Sequence, residues 1–136
     1  MATDTYVGPL GYAVFALPAD HPLDAVAAEL SSLTAQGRAV ILDVELVSRQ
    51  ADGTAARRRL SASPALAAVE TDLLLDTDLE RIASELRDGE DGLVVVYEDR
   101  TLAGLADVVS RDAGRELLLG GIDPTDLDTL QEGEDR

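Results

Sequence analysis

The clearest pattern in the chain is the alternation from Ala39 to Val47. Val40, Leu42, Val44 and Leu46 fall on one face, and Ile41, Asp43, Glu45 and Val47 on the other. Such alternation marks a strand with one buried and one partly wet face. Asp52-Gly53 follows as a hairpin signal, and Thr54 to Leu60 reads as the returning strand. A three-residue loop, Ala51 to Gly53, sets Gln50 opposite Thr54, Val44 opposite Leu60 and Glu45 opposite Arg59. Asp43, Glu45, Arg57 and Arg59 then share one face. A two-residue loop would turn Arg57 and Arg59 onto the Leu46 face and bury charge, so the longer loop is expected.

The remaining elements follow from period and punctuation. Tyr12 to Leu17 is a short apolar run ending at Pro18, a strand. Asp20-His21-Pro22 opens a helix carrying Leu23, Val26, Ala27, Leu30 and Leu33, closed by Gly37. Ser63-Pro64 begins a second helical stretch with Leu66, Val69 and Leu73. Thr77 to Glu80 reads as a capping box for a helix carrying Leu79, Ile82, Ala83 and Leu86. Gly89 and Gly92 flank a charged turn. Leu93 to Tyr97 is a continuous apolar run, a well-buried strand. Arg100 or Thr101 starts a helix with Leu102, Leu105, Ala106 and Val109 on one stripe and Gly114 at its end. Glu116 to Leu119 is expected to be a short strand, and Asp123-Pro124 to cap a last helix through Leu127 and Leu130. Residues 131–136 read as a frayed acidic tail.

This order predicts one α+β domain over residues 1–136. Its first six elements match the ferredoxin-like split βαββαβ pattern, a four-stranded antiparallel sheet with its helices on one face, and an α-β-α extension follows. The opposite face of the sheet would be open to a second subunit or a ligand.

Composition narrows the partners. The formal net charge is −16 and all 11 basic residues are arginine. Such a surface repels phosphate backbones and anionic lipid headgroups, so neither nucleic acid nor a membrane surface is expected as a partner. Tyr6, Tyr12, Phe15 and Tyr97 are the only aromatic residues, which leaves the core to Leu, Val and Ala. The chain has no Cys, hence no disulfide or thiol chemistry. Met1 to Thr5 does not read as a signal peptide and no apolar run is long enough to span a bilayer, so a cytoplasmic protein is expected.

Three stretches carry a family likeness: Val7 to Tyr12, the Asp52-Gly53 hairpin, and Leu79 to Tyr97 with the Glu98 to Arg100 junction behind it. From Val7 to about Leu130 the chain resembles a family of small actinobacterial proteins of unknown function. That family is similar to a larger bacterial group in which a glycine-rich, membrane-like hairpin follows the second strand pair. Here the corresponding segment, Ser61 to Leu75, is Ala-rich and acidic with no Gly. The resemblance implies a ferredoxin-like fold and transfers no catalytic residue, and no membrane role.

No cofactor or metal is expected. His21, the only histidine, lies between Asp20 and Pro22 at a helix start, where a capping or surface role suffices. Asp76, Asp78 and Glu80, and likewise Asp123, Asp126 and Asp128, cluster at expected helix N-termini, where the helix dipole favours negative charge. Neither cluster has calcium-loop spacing. Glu98-Asp99-Arg100 is a strand-to-helix junction, and Asp99 suits a cap. Arg57-Arg58-Arg59 is the one basic run and a weak anion-site candidate at Arg57 and Arg59. Asp43 and Glu45 lie across from it, and cross-strand ion pairs would explain most of it.

No catalytic constellation emerges. The expected function is a non-enzymatic interaction or regulatory module that self-associates through its sheet or an edge strand. A sensor of a small anionic metabolite using Arg57 and Arg59 ranks second. A dimeric α+β barrel enzyme ranks third, because the open face would be too polar for an apolar substrate.

Overall fold

The computed structural model describes residues 6–60, 63–121 and Thr125. In chain order the elements are β1 (Leu10–Pro18), α1 (Asp24–Ala35), β2 (Ala39–Arg49), β3 (Ala55–Arg58), α2 (Pro64–Ala67), α3 (Asp76–Glu85), β4 (Glu90–Asp99) and α4 (Ala103–Arg111). The strands form one four-stranded sheet in the order β1-β4-β2-β3. Every neighbouring pair is antiparallel. The protein is therefore α+β. β1 and β2 run parallel with β4 between them, and β3 and β4 run parallel with β2 between them, so both helical connections are split crossovers.

The hairpin register is the one the burial argument selects. Leu46 opposes Arg58 and Arg49 opposes Ala55. The Gln50 amide donates to the Thr54 carbonyl at 2.8 Å, and Gly53 sits at φ 87, the left-handed position of a three-residue loop. The returning strand is shorter than its apolar pattern suggests, because the Leu60 amide donates to the Glu70 carboxylate instead of to β2.

Strict alternation along β2 does not hold. A bulge between Ile41 and Asp43 inserts Leu42 as an extra residue. Ile41 therefore joins the face of Val44 and Leu46, and Val40 moves to the face of Asp43, Glu45 and Val47.

The helices do not all lie on one face. Val44, Leu93 and Val95 pack against Val26, Ala27 and Leu30 of α1 and Leu66 of α2. Val47 and Val94, on the opposite face, pack against Leu79 and Ala83 of α3. The cause is β4, whose residues 93–95 are apolar and buried whichever way they point. α3 covers this face from β3 across β2 to Gly92 and Val94 of β4 and leaves β1 uncovered. Leu10, Tyr12 and Val14 of β1, and Val40 near the start of β2, remain exposed.

The C-terminal region departs furthest from its pattern. α4 closes with the Gly114 amide on the Val109 carbonyl, and residues 114–121 form neither helix nor strand. Glu116 to Leu119 is thus unpaired. The expected helix through Leu127 and Leu130, the Asp123 to Asp128 acidic cluster and the 131–136 tail lie outside the described residues.

Gly92 shows how closely α3 approaches β4: a Cβ there would stand 2.9 Å from Ile82 Cγ2. Gly92→Val should cost about 2 kcal/mol by forcing that contact apart. Urea denaturation measures it, and an unchanged midpoint would show that α3 does not pack on β4 this tightly.

A buried acid pair and an open sheet edge

The four candidate residues share one face of the β2–β3 hairpin, but they do not form an open cradle. Asp43 and Glu45 are fully buried, and the 69–75 segment passes over them. Asp43 accepts the Thr71 amide at 2.8 Å and the Leu73 amide at 3.2 Å, one on each carboxylate oxygen. Glu45 accepts the Leu74 amide at 3.0 Å and Arg57 Nε at 2.5 Å. Arg57 also donates to the Leu74 carbonyl. The segment lacks a regular ladder, so these side chains satisfy its amides in place of another strand. The Val44 amide on the Val69 carbonyl, 3.1 Å, and Thr71 Oγ1 on the Leu42 carbonyl, 2.9 Å, complete the attachment at the bulge.

Two neighbouring carboxylates buried together cannot both ionise cheaply. Burial and the hydrogen bond shared with Asp43 push Glu45 above its ordinary value, against the pull of Arg57 and the Leu74 amide. Burial alone would also raise Asp43. The hydrogen bonds from Glu45 and from the Thr71 and Leu73 amides outweigh it and hold Asp43 below its ordinary value. The two acids are thus shifted in opposite directions, Asp43 toward holding its charge and Glu45 toward taking up a proton at higher pH than usual. The arrangement resembles an acid–base dyad in charge only, since the 69–75 segment occupies the place a substrate would need.

The arginine run is divided by strand alternation. Arg57 and Arg59 point to the Glu45 side. Arg59 donates to both Asp72 oxygens, at 3.1 and 3.0 Å, and lies 3.6 Å from Glu70. Arg58 points the other way, to buried Asp91 at 2.6 Å and to Asp20 at 2.8 Å. The apparent excess of positive charge is taken up by Asp20, Glu70, Asp72 and Asp91, all distant in sequence from the hairpin. Asp43 pairs with backbone amides and not with an arginine.

The other candidates have local roles. His21 is exposed, with Nδ1 3.1 Å from the Pro22 carbonyl, outside α1, which begins at Asp24. Asp78 caps α3 by accepting the Leu75 amide at 3.0 Å, which starts that helix earlier than Thr77. Asp99 accepts the Thr101 amide at 2.8 Å. Glu98 accepts the Gly8 amide at 2.7 Å and Arg100 at 3.0 Å, while Arg100 stacks over the Tyr6 ring and donates to the Tyr6 carbonyl. This junction ties the chain before β1 to the end of β4. Among the described residues no helix is long and apolar enough to cross a membrane.

The surface that sequence reasoning passed over is β1. It lies at the edge of the sheet, and its nine residues, Leu10 to Pro18, carry no charge. Tyr12 is 70% exposed and Phe15 56%, and they point to opposite faces. The opposite edge, β3, has four residues, two of them arginine. Natural sheets blunt exposed edges with charge or brevity. β3 has both and β1 has neither. The absence of charge over nine residues was the visible signal, but its meaning depends on the edge position, which only the topology supplies.

Comparison with protein-family models, curated proteins and solved structures found no match. The functional reading rests on the geometry.

The acid pair generates a prediction with two arms. Asp43→Asn would turn an amide donor toward the Thr71 or Leu73 amide and leave a buried donor unsatisfied, a loss of about 2 kcal/mol or more. Glu45→Gln removes the charge that Arg57 meets and keeps only one of the two acceptors that Arg57 and the Leu74 amide use, so it should cost a similar amount at neutral pH. The lowered Asp43 contributes stability above its unfolded-state pKa that is lost as pH falls through its folded value. The raised Glu45 contributes stability below its unfolded-state pKa that is lost as pH rises through its folded value. Relative to wild type, Glu45→Gln should therefore gain as pH rises from acid toward neutral. Denaturant titrations across that range check both arms, and two variants whose costs share the same pH dependence would refute the opposite shifts.

Proposed function

We propose that this chain is a non-enzymatic interaction module that self-associates through the β1 edge of its sheet. The carrying observation is the contrast between its two edges: β3 is short and guarded by arginine, while β1 is long, uncharged and apolar on both faces. An edge of that kind presents unpaired amides and carbonyls to another strand. The fold itself is read as a permuted form of the ferredoxin-like plan: the split crossovers are kept, but β4 and β2 take the centre of the sheet.

The alternatives draw less support. An anion sensor at Arg57 and Arg59 would have to displace carboxylates that already hold both guanidinium groups. A dimeric barrel enzyme needs one sheet face free for a cavity, and each face here carries a helix. A Cys-free chain with net charge −16 suits the cytoplasm and a protein partner, not a nucleic acid.

Like-charged copies repel, so association should tighten as salt shortens the screening length. Tyr12→Lys with Phe15→Lys places a charge on each face of β1 at positions that pack on little. The variant should run as a monomer where wild type runs as a discrete oligomer, with unfolding stability changed by no more than about 0.5 kcal/mol. Native mass spectrometry and light scattering on eluting peaks decide it. A wild-type monomer at high concentration, or a variant as oligomeric as wild type, would end the proposal.

A further inference from the structure

The described fold leaves two apolar surfaces without a partner. One is β1, which α3 leaves uncovered. The other is the C-terminal arm. Leu102 at the N-cap of α4 and Leu105, Val108 and Val109 within it lie at helical spacing, and all four are exposed. No residue of α4 is buried. Beyond it Leu117, Leu118 and Leu119 are exposed, Leu118 to 93%. The arm begins beside Tyr6, Val7 and Arg100, with which it lines a groove, and among the described residues no strand lies beyond the β1 edge.

We infer that the arm of one copy completes the sheet of a second copy: residues 116–119 add as a strand along β1 while the apolar stripe of α4 covers the face of β1 that α3 leaves open. The inference rests on self-association through β1 and names what fills that edge. Three observations select this occupant over direct pairing of two β1 strands.

The first is area. β1 exposes four large apolar side chains, Leu10, Tyr12, Val14 and Phe15, few for a stable interface of roughly 800 Å² per partner. The arm exposes seven more, so a reciprocal exchange covers far more apolar surface than β1 pairing alone. The second is pattern. Three consecutive leucines are apolar on both faces of a strand, which suits a neighbour that is itself apolar on both faces, as β1 is with Phe15 on one side and Tyr12 and Val14 on the other. The third is charge. Neither β1 nor residues 117–121 carries any, and between Asp107 and Glu116 two of three acids are offset by Arg111 and Arg115. Arm exchange joins the least acidic stretches of a chain whose net charge is −16.

The absence of cysteine allows a clean test. A heavy-isotope Phe15→Cys chain is mixed with an unlabelled Leu118→Cys chain, re-equilibrated, and treated with a short bismaleimide. Both positions are exposed, so neither change threatens folding. A covalent heavy–light product linked between positions 15 and 118 is the expected result, because these single-cysteine chains cannot make that link within one copy. A 15–15 product in its place would show β1 pairing with β1, which overturns the exchange and leaves self-association standing. An internal link in the double variant with no heavy–light product would show the arm folding back on its own sheet, and also overturns it. As a second readout, Leu118→Glu should weaken the wild-type assembly at least tenfold, and an unchanged assembly would again leave only the β1 reading. A wild-type monomer would remove both.

Discussion

A strand that is apolar on both faces has to be covered twice, and in this protein that strand is β4. Leu93 and Val95 need one layer and Val94 needs another. Once β4 sits inside the sheet, α1 and α2 must lie on one side and α3 on the other. With only these helices to divide, neither side is covered to its full width. The exposed β1 strand is the remainder of that division, and the lack of large aromatic residues in the core leaves nothing bulky to cover it from within.

The hairpin was legible because two constraints coincide there. The loop glycine and the cost of burying Arg57 and Arg59 select the same register. The bulge at Leu42 was not legible: the alternation reads perfectly through it, and only the need to bring Ile41 beside the first core while Asp43 meets the 69–75 segment bends the strand. The placement of α3 escaped for a related reason. Its apolar stripe says that it packs, but not on which side, and the continuous run in β4 is compatible with either until the sheet order is known. Glu116 to Leu119 has strand composition without a ladder to join, since propensity describes a segment and pairing describes two.

Charge in this chain is handled locally and not through its total. Three acids, Asp43, Glu45 and Asp91, are buried in a protein that already carries a large negative excess. Each is met by an amide or a guanidinium group at close range. At those distances the neighbours, not the net charge, set the energy of the buried group. The sequence shows the arginine run and the acids around it, but the contacts that matter join residues 10 to 40 positions apart, such as Glu45 with Leu74 and Asp20 with Arg58. Composition therefore predicted which kinds of group would meet and not which individuals.

The asymmetry of the two edges bears on the size an assembly can reach. A sheet with two bare edges offers a new site with every copy added and grows without limit into a fibre. A sheet with one bare edge and one guarded edge stops once the bare edge is filled. The arginines of β3 hold the hairpin together in the single chain. In an assembly built through β1 as proposed, the same residues would deny a further copy a second edge, and a reciprocal exchange of arms would close on itself as a particle and not a filament.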